Sequence, residues 1–237
     1  MPLMWDTQDT YTDIDTFLLS TNKVNATSLS DLEHKERILA QLAMQELSKN
    51  EIKGNFNYEH LKAIHQFIFK DIYTWAGKDR YEEKFFKALH KGDSQFCVGV
   101  LIPQESKRIF DGLMEKELLK TCKNDEQFIK ELANFMADLN AMHPFCEGNG
   151  RTQRIFINQL AKNAGYELDL NLTPKEIMLR ASIEAMNHQN SSLEKIIKNN
   201  LKKIDMSKQR EIEAMQEAVR KASQNLKPKD KSKDLDR

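Results

Sequence analysis

The sequence predicts an all-α domain with one small β-hairpin, and three observations support this fold class. The 237 residues include only 8 glycines and 5 prolines, so long stretches contain no helix-breaking residue. In these stretches apolar residues recur every three or four positions, which is the spacing of one helix face. Strand-like alternation is confined to one short segment. A chain of this length can bury one sizeable core.

The first two predicted helices combine the helical period with start or stop signals. Residues 28–47 open with serines that can cap a helix and carry acidic residues early. The apolar residues expected near one face of this helix are Leu32, Ile38, Leu42 and Leu47. Residues 58–76 repeat the pattern, and Gly77 is expected to end that helix.

Three further helices are predicted downstream. Residues 125–143 carry a continuous apolar stripe and end in a histidine. Residues 151–166 begin directly after a Gly-Asn-Gly sequence and end near a glycine. The segment 173–186 has Thr173 as a cap and Pro174 at the first helical position, where a proline is tolerated.

Residues 88–103 have a different pattern, which fits a small hairpin. A Gly-Asp pair offers a turn, the following run contains Phe96, Val98 and Val100, and a proline stops it. An isolated hairpin has a free edge, which can receive an extended peptide by backbone hydrogen bonding. On these residues alone, a plain surface loop explains the segment equally well.

The composition changes after residue 200. Residues 202–237 contain no aromatic residue, and the final KPKDKSKDLDR is almost entirely charged, so it cannot collapse. One amphipathic helix is predicted in this tail, either exposed to a partner or packed back on the domain. Its apolar positions are Ile212, Met215, Val219, Ala222 and Leu226. An abrupt charged end is also what a fragment of a longer protein would show.

Charge and cysteine content exclude several classes of protein. Lys plus Arg and Asp plus Glu number 36 each, so no overall field attracts nucleic acid or an anionic membrane, and we expect neither partner. The sequence contains no run of about 18 apolar residues, so no transmembrane helix is expected. Three scattered cysteines, Cys97, Cys122 and Cys146, argue against a disulfide framework and a structural zinc site.

The segment AMHPFCEGNGRTQR, residues 141–154, concentrates groups that bind phosphate. Gly148, Asn149 and Gly150 join the end of one predicted helix to the start of the next. Free backbone amides and the positive end of the helix dipole converge at such a start, which favours phosphate oxygens. Glycines suit this position because a backbone that approaches a phosphate closely has no room for Cβ.

The charged residues of the same segment complete a nucleotide site. Arg151 and Arg154 are one helical turn apart, so their guanidinium groups can hold two neighbouring phosphates. Glu147 suits Mg²⁺, which is usually held by one or two carboxylates together with phosphate oxygens. His143 is then the nearby group able to take a proton at neutral pH. A purely structural role is the alternative: His143 could lie in the core or cap a helix, Glu147 could cap a helix, and the arginines could form surface ion pairs. These roles leave the loop glycines unexplained.

The run HPFCEGNGRTQR resembles the Fic family signature His-Pro-Phe-x-(Asp/Glu)-Gly-Asn-Gly-Arg-x-x-Arg at every position. Residues 68–80 and 91–96 also resemble the family's upstream helix end and the start of its flap. The resemblance implies a Fic-fold helical bundle with a small β-hairpin flap. It implies an N-terminal extension over 1–30, a Fic domain over 31–200 and a charged helical tail or linker over 201–237.

The resemblance also implies a function, namely the transfer of AMP from ATP to a Ser, Thr or Tyr hydroxyl of a target protein. His143 would take the hydroxyl proton, Glu147 would hold Mg²⁺, and the amides of residues 148–150 would form the anion hole. Arg151 would contact the β-phosphate and Arg154 the γ-phosphate. The residues that would clamp the target on the flap are Lys91, Gly92, Asp93, Ser94, Gln95 and Phe96.

Two other functions stay open at this stage. A Doc-type kinase of the same family transfers the γ-phosphate and carries Lys at the position of Gly150, so the glycine favours AMP transfer. A domain that binds nucleotide without turnover is the other alternative.

The regulation expected from the resemblance is by a separate protein. The family's inhibitory Ser/Thr-x-x-x-Glu-(Gly/Asn) motif has no full match, since residues 207–212 end in isoleucine and residues 27–31 have Asp in place of Glu. A small inhibitory antitoxin is therefore the expected partner. The protein would act as a toxin in the bacterial cytoplasm, or inside a host cell if it is a secreted effector.

Overall fold

The computed structural model describes residues 13–91, 94–205, 215 and 218–219. Eight α-helices and four short β-strands lie in this part of the chain, so the predicted fold class is confirmed. The helices are α1 (Ile14–Thr21), α2 (Leu29–Lys49), α3 (Tyr58–Phe69), α4 (Ile102–Glu115), α5 (Asp125–Met142), α6 (Asn149–Asn163), α7 (Lys175–Met186) and α8 (Ser191–Asn200). The strands are β1 (Ala88–Lys91), β2 (Ser94–Val98), β3 (Tyr166–Leu168) and β4 (Leu201–Lys203).

Helices α5 and α6 form the centre of the core. Helix α6 packs against α3 on one side and α5 on the other, while α5 also contacts α4, α7 and α8. Phe128, Leu132 and Leu139 on α5 are fully buried, as are Phe156 and Leu160 on α6. The segment between α5 and α6 is therefore supported from both of its flanking helices.

The buried face of α2 differs from the predicted one. Ile38 and Leu42 are 47% and 58% exposed, so the expected apolar face was wrong at these two positions. The residues that α2 buries are Leu32, Glu36, Ala40 and Leu47. Because the buried face includes the charged Glu36, the spacing of apolar residues alone does not predict this face.

Three predicted helix boundaries shift. Helix α3 ends at Phe69 rather than at residue 76, because the chain turns back to bond α1: the Thr74 amide donates to the Thr21 carbonyl at 3.1 Å. Helix α6 begins at Asn149, two residues before the predicted start, so part of the expected loop is the first helical turn. Helix α7 begins at Lys175, with Pro174 as its N-cap.

Several elements were not predicted from the sequence. Pro103, the predicted end of a strand, lies in the first turn of α4, where the missing amide hydrogen of proline costs nothing. Helices α1 and α8 were also missed, as was the second strand pair formed by β3 and β4. Phe17 of α1 is fully buried against Trp75 and Phe85.

The predicted hairpin is present. Strands β1 and β2 pair antiparallel, with Ala88 opposite Val98 and His90 opposite Gln95, and β2 contacts α5. The turn residues Gly92 and Asp93 lie outside the described residues. Within the described chain this sheet has two strands, so each strand keeps one edge without a strand partner.

The chain divides into two units, Met1–Lys202 and Lys203–Arg237. In the second unit Met215 and Val219 are helical and exposed, whereas Ile212, Ala222 and Leu226 lie outside the described residues. The predicted boundaries at residues 30 and 200 stay predictions. Among the described helices, none combines the length and apolarity that a membrane span requires.

Candidate active site

His143 lies where α5 ends and adopts a left-handed backbone conformation, with φ 45° and ψ 62°. This conformation is uncommon outside glycine and turns the chain sharply after the helix. The His143 amide still donates to the Leu139 carbonyl at 3.2 Å. Its imidazole stacks on the ring of Phe96 in β2, with ring centroids 3.7 Å apart and an angle of 17° between the planes. The turn therefore directs the imidazole towards the hairpin.

The loop after His143 is locked by its own side chains. Asn149 accepts a hydrogen bond from the Phe145 amide at 2.9 Å and donates to the Phe145 carbonyl at 2.7 Å. Both residues are buried. Two bonds between the same pair close residues 145–149 into a rigid turn, so the backbone amides at the start of α6 keep a fixed direction.

The two glycines of the loop have different requirements. Gly148 has φ 82°, and a Cβ there would lie 2.3 Å from the buried ring of Phe69. Gly150 has no such neighbour, since its Cβ would meet only the Nη1 atom of Arg154 at 3.4 Å. The fold therefore requires a glycine at position 148, while at position 150 a Cβ would find open space apart from Arg154.

A pair of alanine substitutions separates these roles. Gly148→Ala should lower the free energy of unfolding by about 2–4 kcal/mol, through the ring clash and the strained backbone. Gly150→Ala should leave the unfolding free energy within about 1 kcal/mol of the wild-type value, since alanine suits a helix. If the amides of residues 148–150 hold a nucleotide phosphate, as the family resemblance implies, the added methyl group should weaken ADP binding. Urea denaturation and calorimetric titration with ADP check both results. Equal losses of stability in the two variants would contradict this division.

Arg80 ties the end of α5 to the base of the hairpin. Its side chain is fully buried and donates hydrogen bonds only to carbonyl groups among the described residues. Nε donates to His143 at 2.9 Å, Nη1 to Lys87 at 3.1 Å, and Nη2 to Cys97 at 2.7 Å and to Met142 at 3.1 Å. A cation at a helix C-terminus is favoured by the helix dipole. Burial lowers the pKa of Arg80 from its usual value.

His65 fixes the other side of the loop. Its Nδ1 accepts from the Gly77 amide at 2.9 Å, so Nε2 carries the hydrogen and donates to the Glu147 carbonyl at 3.0 Å. The imidazole stacks on Phe145 with centroids 3.9 Å apart. Burial lowers the pKa of His65 to about 3, with Arg151 acting in the same direction. His65 is therefore a neutral structural bridge between α3 and the loop.

The lowered pKa of His65 predicts a pH dependence of stability. A histidine in the unfolded chain has a pKa of about 6.5. Below that pH the unfolded chain binds a proton at His65, whereas the folded chain does not. The free energy of unfolding should therefore fall as the pH drops from about 6.5 towards 3, by about 1.4 kcal/mol per pH unit from this residue. Urea denaturation between pH 4 and 8 should show a shallower slope for His65→Gln. The exposed His34→Gln is the control, and identical slopes in all three proteins would refute the assignment.

Glu147 and Arg151 belong to an ion cluster that faces α2. Oε1 of Glu147 accepts from the Gly148 amide at 2.7 Å and from Nη2 of Arg151 at 3.1 Å. The same Nη2 lies 2.5 Å from Oε1 of Glu36. The Arg151 guanidinium also sits over the Phe69 ring, 4.8 Å from its centroid. The Glu147 side chain is 46% exposed, so it is accessible from outside the cluster.

Arg154 lines a cavity of about 710 Å³ together with His143 and Gly150. Its Nε donates to the neutral Asn171 side chain at 3.2 Å. Burial lowers the pKa of Arg154, and the neighbouring Arg151 lowers it further. Ser94 and Phe96 of the hairpin form one wall, and an apolar wall is contributed by Met178, Leu179, Ile183 and Met186 of α7. The cavity thus combines cationic side chains, of Arg154 and Lys175, with an extended apolar surface.

The structure brings the residues of the 143–154 segment together with the hairpin, through the contact between Phe96 and His143. It places Arg154 at the cavity and Arg151 in the cluster with Glu36. Gln95 points to solvent, and the side chain of Lys91 lies outside the described residues. Sequence reasoning missed Arg80, His65 and Glu36. No local sequence pattern indicates their role, because each forms hydrogen bonds with a group that is far away in the sequence.

Comparison with known proteins places the site in a family context. Residues 55–161 match the family described as Fic/DOC family. Protein adenylyltransferase VbhT of Bartonella schoenbuchensis is 35% identical over 193 residues, which are 81% of this chain and 39% of that protein. Probable protein adenylyltransferase y4lH of Sinorhizobium fredii is 34% identical over 158 residues, 66% of this chain and 78% of that protein. The chain thus spans well under half of the first relative.

A solved structure agrees with these matches. The N-terminal Fic domain of a VirB-translocated Bep effector protein from Bartonella quintana, with bound ADP, superimposes with a TM-score of 0.72 at 28% sequence identity. The superposition covers 78% of this chain and 91% of that one.

Proposed function

Because this chain belongs to the Fic/DOC family, we propose that it is a protein adenylyltransferase, which transfers AMP from ATP to a hydroxyl side chain of a target protein and releases pyrophosphate. The observation that carries the proposal is the shared cavity of His143, Gly150 and Arg154 beside the hairpin. This cavity joins a proton acceptor, a helix start and a cation. The relatives named above as adenylyltransferases and the related structure with ADP support the same chemistry.

His143 acts as the general base. A Ser, Thr or Tyr hydroxyl oxygen of the target attacks the α-phosphorus, and the imidazole takes its proton. The bond between the α-phosphorus and the oxygen that bridges to the β-phosphate breaks, and pyrophosphate leaves. Stacking on Phe96 and the Arg80 bond to the His143 carbonyl hold the imidazole in one orientation, so the proton transfer needs little rearrangement.

The start of α6 binds the phosphates. The amides of Gly148, Asn149 and Gly150 donate hydrogen bonds to phosphate oxygens, Arg151 contacts the β-phosphate, and Arg154 contacts the γ-phosphate. The Gly148 amide donates to Glu147 in the structure, so a phosphate oxygen would share this donor with the carboxylate. The neutral partner of Arg154 supports this role, since no described carboxylate competes with the phosphate there. The apolar wall on α7 suits a purine base.

Glu147 has the chemistry of a Mg²⁺ ligand. It is a partly exposed carboxylate whose described hydrogen bonds both use Oε1. One carboxylate together with phosphate oxygens is a usual Mg²⁺ environment. When bound, Mg²⁺ neutralises phosphate charge; the protein's contribution is to direct this carboxylate towards the phosphate side of the loop through the Gly148 amide.

The hairpin binds the target. Strand edges without a partner can receive an extended segment by backbone hydrogen bonding. The residues assigned to this flap are those predicted from the sequence, Lys91, Gly92, Asp93, Ser94, Gln95 and Phe96. Among the described ones, Phe96 connects the hairpin to His143. A target segment added at the flap would therefore present its hydroxyl near the imidazole.

We also propose a separate inhibitory protein as a partner, since the family's inhibitory motif has no full match in the sequence. The protein then acts in the bacterial cytoplasm, or in a host cell as a secreted effector. The related Bep structure is described as a translocated effector, which is compatible with the second location.

The proposed function is tested by mass spectrometry. The protein is incubated with ATP and Mg²⁺ in a bacterial lysate and in a eukaryotic lysate, and modified proteins are identified. We expect an adenylyl group on a Ser, Thr or Tyr residue, and the lysate that contains the product identifies the class of target. A phosphate in place of an adenylyl group would instead establish kinase activity. No modification in either lysate would refute the proposal.

A further inference from the structure

Glu36 is a buried carboxylate in the middle of α2, outside the residues that match the family. Only 7% of its surface is exposed. A buried charge is costly unless it is paired and hydrogen-bonded. Both of its oxygens are used: Oε1 lies 2.5 Å from Nη2 of Arg151, and Oε2 accepts from the Tyr73 hydroxyl.

Tyr73 keeps this arrangement in one protonation state. Burial raises the pKa of Tyr73 and Glu36 raises it further, so the hydroxyl stays protonated and donates. Its ring stacks on Trp75 with centroids 4.6 Å apart, and both rings are buried. The Glu36 carboxylate is thus held by a rigid donor on one side, and its position sets that of Arg151 on the other.

Arg151 is restrained from three directions. Glu36 and Glu147 both bond Nη2, and the Phe69 ring lies under the guanidinium. The described bonds leave Nε and Nη1 for a ligand. If Glu147 turns to a metal ion, Glu36 is the carboxylate that still holds Arg151 at the start of α6. Without Glu36, the long Arg151 side chain regains its rotamer freedom, which a bound phosphate would have to remove again.

We propose that Glu36 is a positioning residue for the nucleotide β-phosphate, which acts by holding the guanidinium of Arg151 between Tyr73 and the phosphate-binding loop. The proposal rests on the proposed function, in which Arg151 contacts that phosphate. It assigns part of the nucleotide site to α2, which is distant in sequence from residues 143–154.

The test compares ADP with AMP, which differ only by the β-phosphate. Calorimetric titrations with each nucleotide in MgCl₂ use the wild-type protein and Glu36→Gln. We expect ADP affinity to fall about tenfold in the variant, as the loss of one charge-assisted contact would give, with AMP affinity unchanged. Glu33→Gln, at an exposed position of the same helix, is the matched control and should bind both nucleotides as the wild type does.

A double-mutant cycle shows whether Glu36 acts through Arg151. In an Arg151→Met background, Glu36→Gln should cause no further loss of ADP affinity. Tyr73→Phe should reproduce a smaller part of the ADP effect, because it removes only the hydroxyl donor.

Three results would overturn the proposal. Unchanged ADP affinity in Glu36→Gln would show that Arg151 needs no such support. Tighter ADP binding would show that Glu36 competes with the phosphate. Equal losses for ADP and AMP, with a lower melting temperature, would show a role in folding alone. A wild-type protein that binds neither nucleotide would instead refute the proposed nucleotide site itself, so the two failures are distinguishable.

Discussion

Replacing His143 by alanine is expected to lower the rate of AMP transfer by about 10²–10⁴-fold, the usual contribution of a general base. The imidazole is the group at the cavity that can accept the hydroxyl proton, and the variant keeps Gly150 and Arg154 in place. Affinity for ADP should therefore stay close to the wild-type value. Labelled-ATP transfer to the target identified by mass spectrometry measures the rate, and calorimetry measures ADP affinity.

A control variant separates the role of His143 from the general effect of losing an imidazole. His34→Ala, at an exposed position of α2, should retain the wild-type rate of transfer. Full activity of His143→Ala would show that His143 is not the general base.

Replacing Arg80 by methionine is expected to be the most destabilising substitution considered. Methionine keeps an apolar stem but removes the Arg80 donor from the carbonyl groups of Cys97, Met142 and His143. The Lys87 carbonyl also loses Arg80 but keeps the bond from the Gly99 amide at 3.1 Å. Each unsatisfied buried group costs about 1–3 kcal/mol, so we expect a loss of about 3–5 kcal/mol in the free energy of unfolding, with partial relaxation. Urea denaturation measures this loss.

Two other variants show whether a loss of stability in Arg80→Met comes from the missing hydrogen bonds. Arg80→Lys should be intermediate, because an ammonium group is compact and cannot reach all four carbonyls with the geometry of the guanidinium. Arg180→Met, at a surface position of α7 whose side chain is 77% exposed, should change the unfolding free energy by less than about 0.5 kcal/mol. A stable Arg80→Met protein would show that water replaces the guanidinium.

Particular residues show how far sequence reasoning reached. The period of α5 was predicted correctly because its buried face is apolar throughout, and that of α3 because Leu61, Ile64 and Ile68 keep the helical spacing although the same face also buries His60 and His65. The face of α2 was misread because it buries Glu36. The prediction that Pro103 ends a strand was wrong, because proline is equally suited to a first helical turn. Local sequence patterns do not predict the role of a residue whose partner lies in another part of the chain.

By itself, the sequence determined the helical class and the segment that contains His143, Glu147, Gly150 and Arg154, because these depend on period and close spacing along the chain. It left residues 88–103 open between a hairpin and a loop, and the pairing of β1 with β2 decided this. The tertiary structure alone decided how that segment is held. The two arginines, although one turn apart, have different surroundings, with Arg151 paired to Glu36 and Arg154 at the cavity. The physical reason is that a buried charge must find its partner in space, and that partner is fixed only when α2 and α6 pack together.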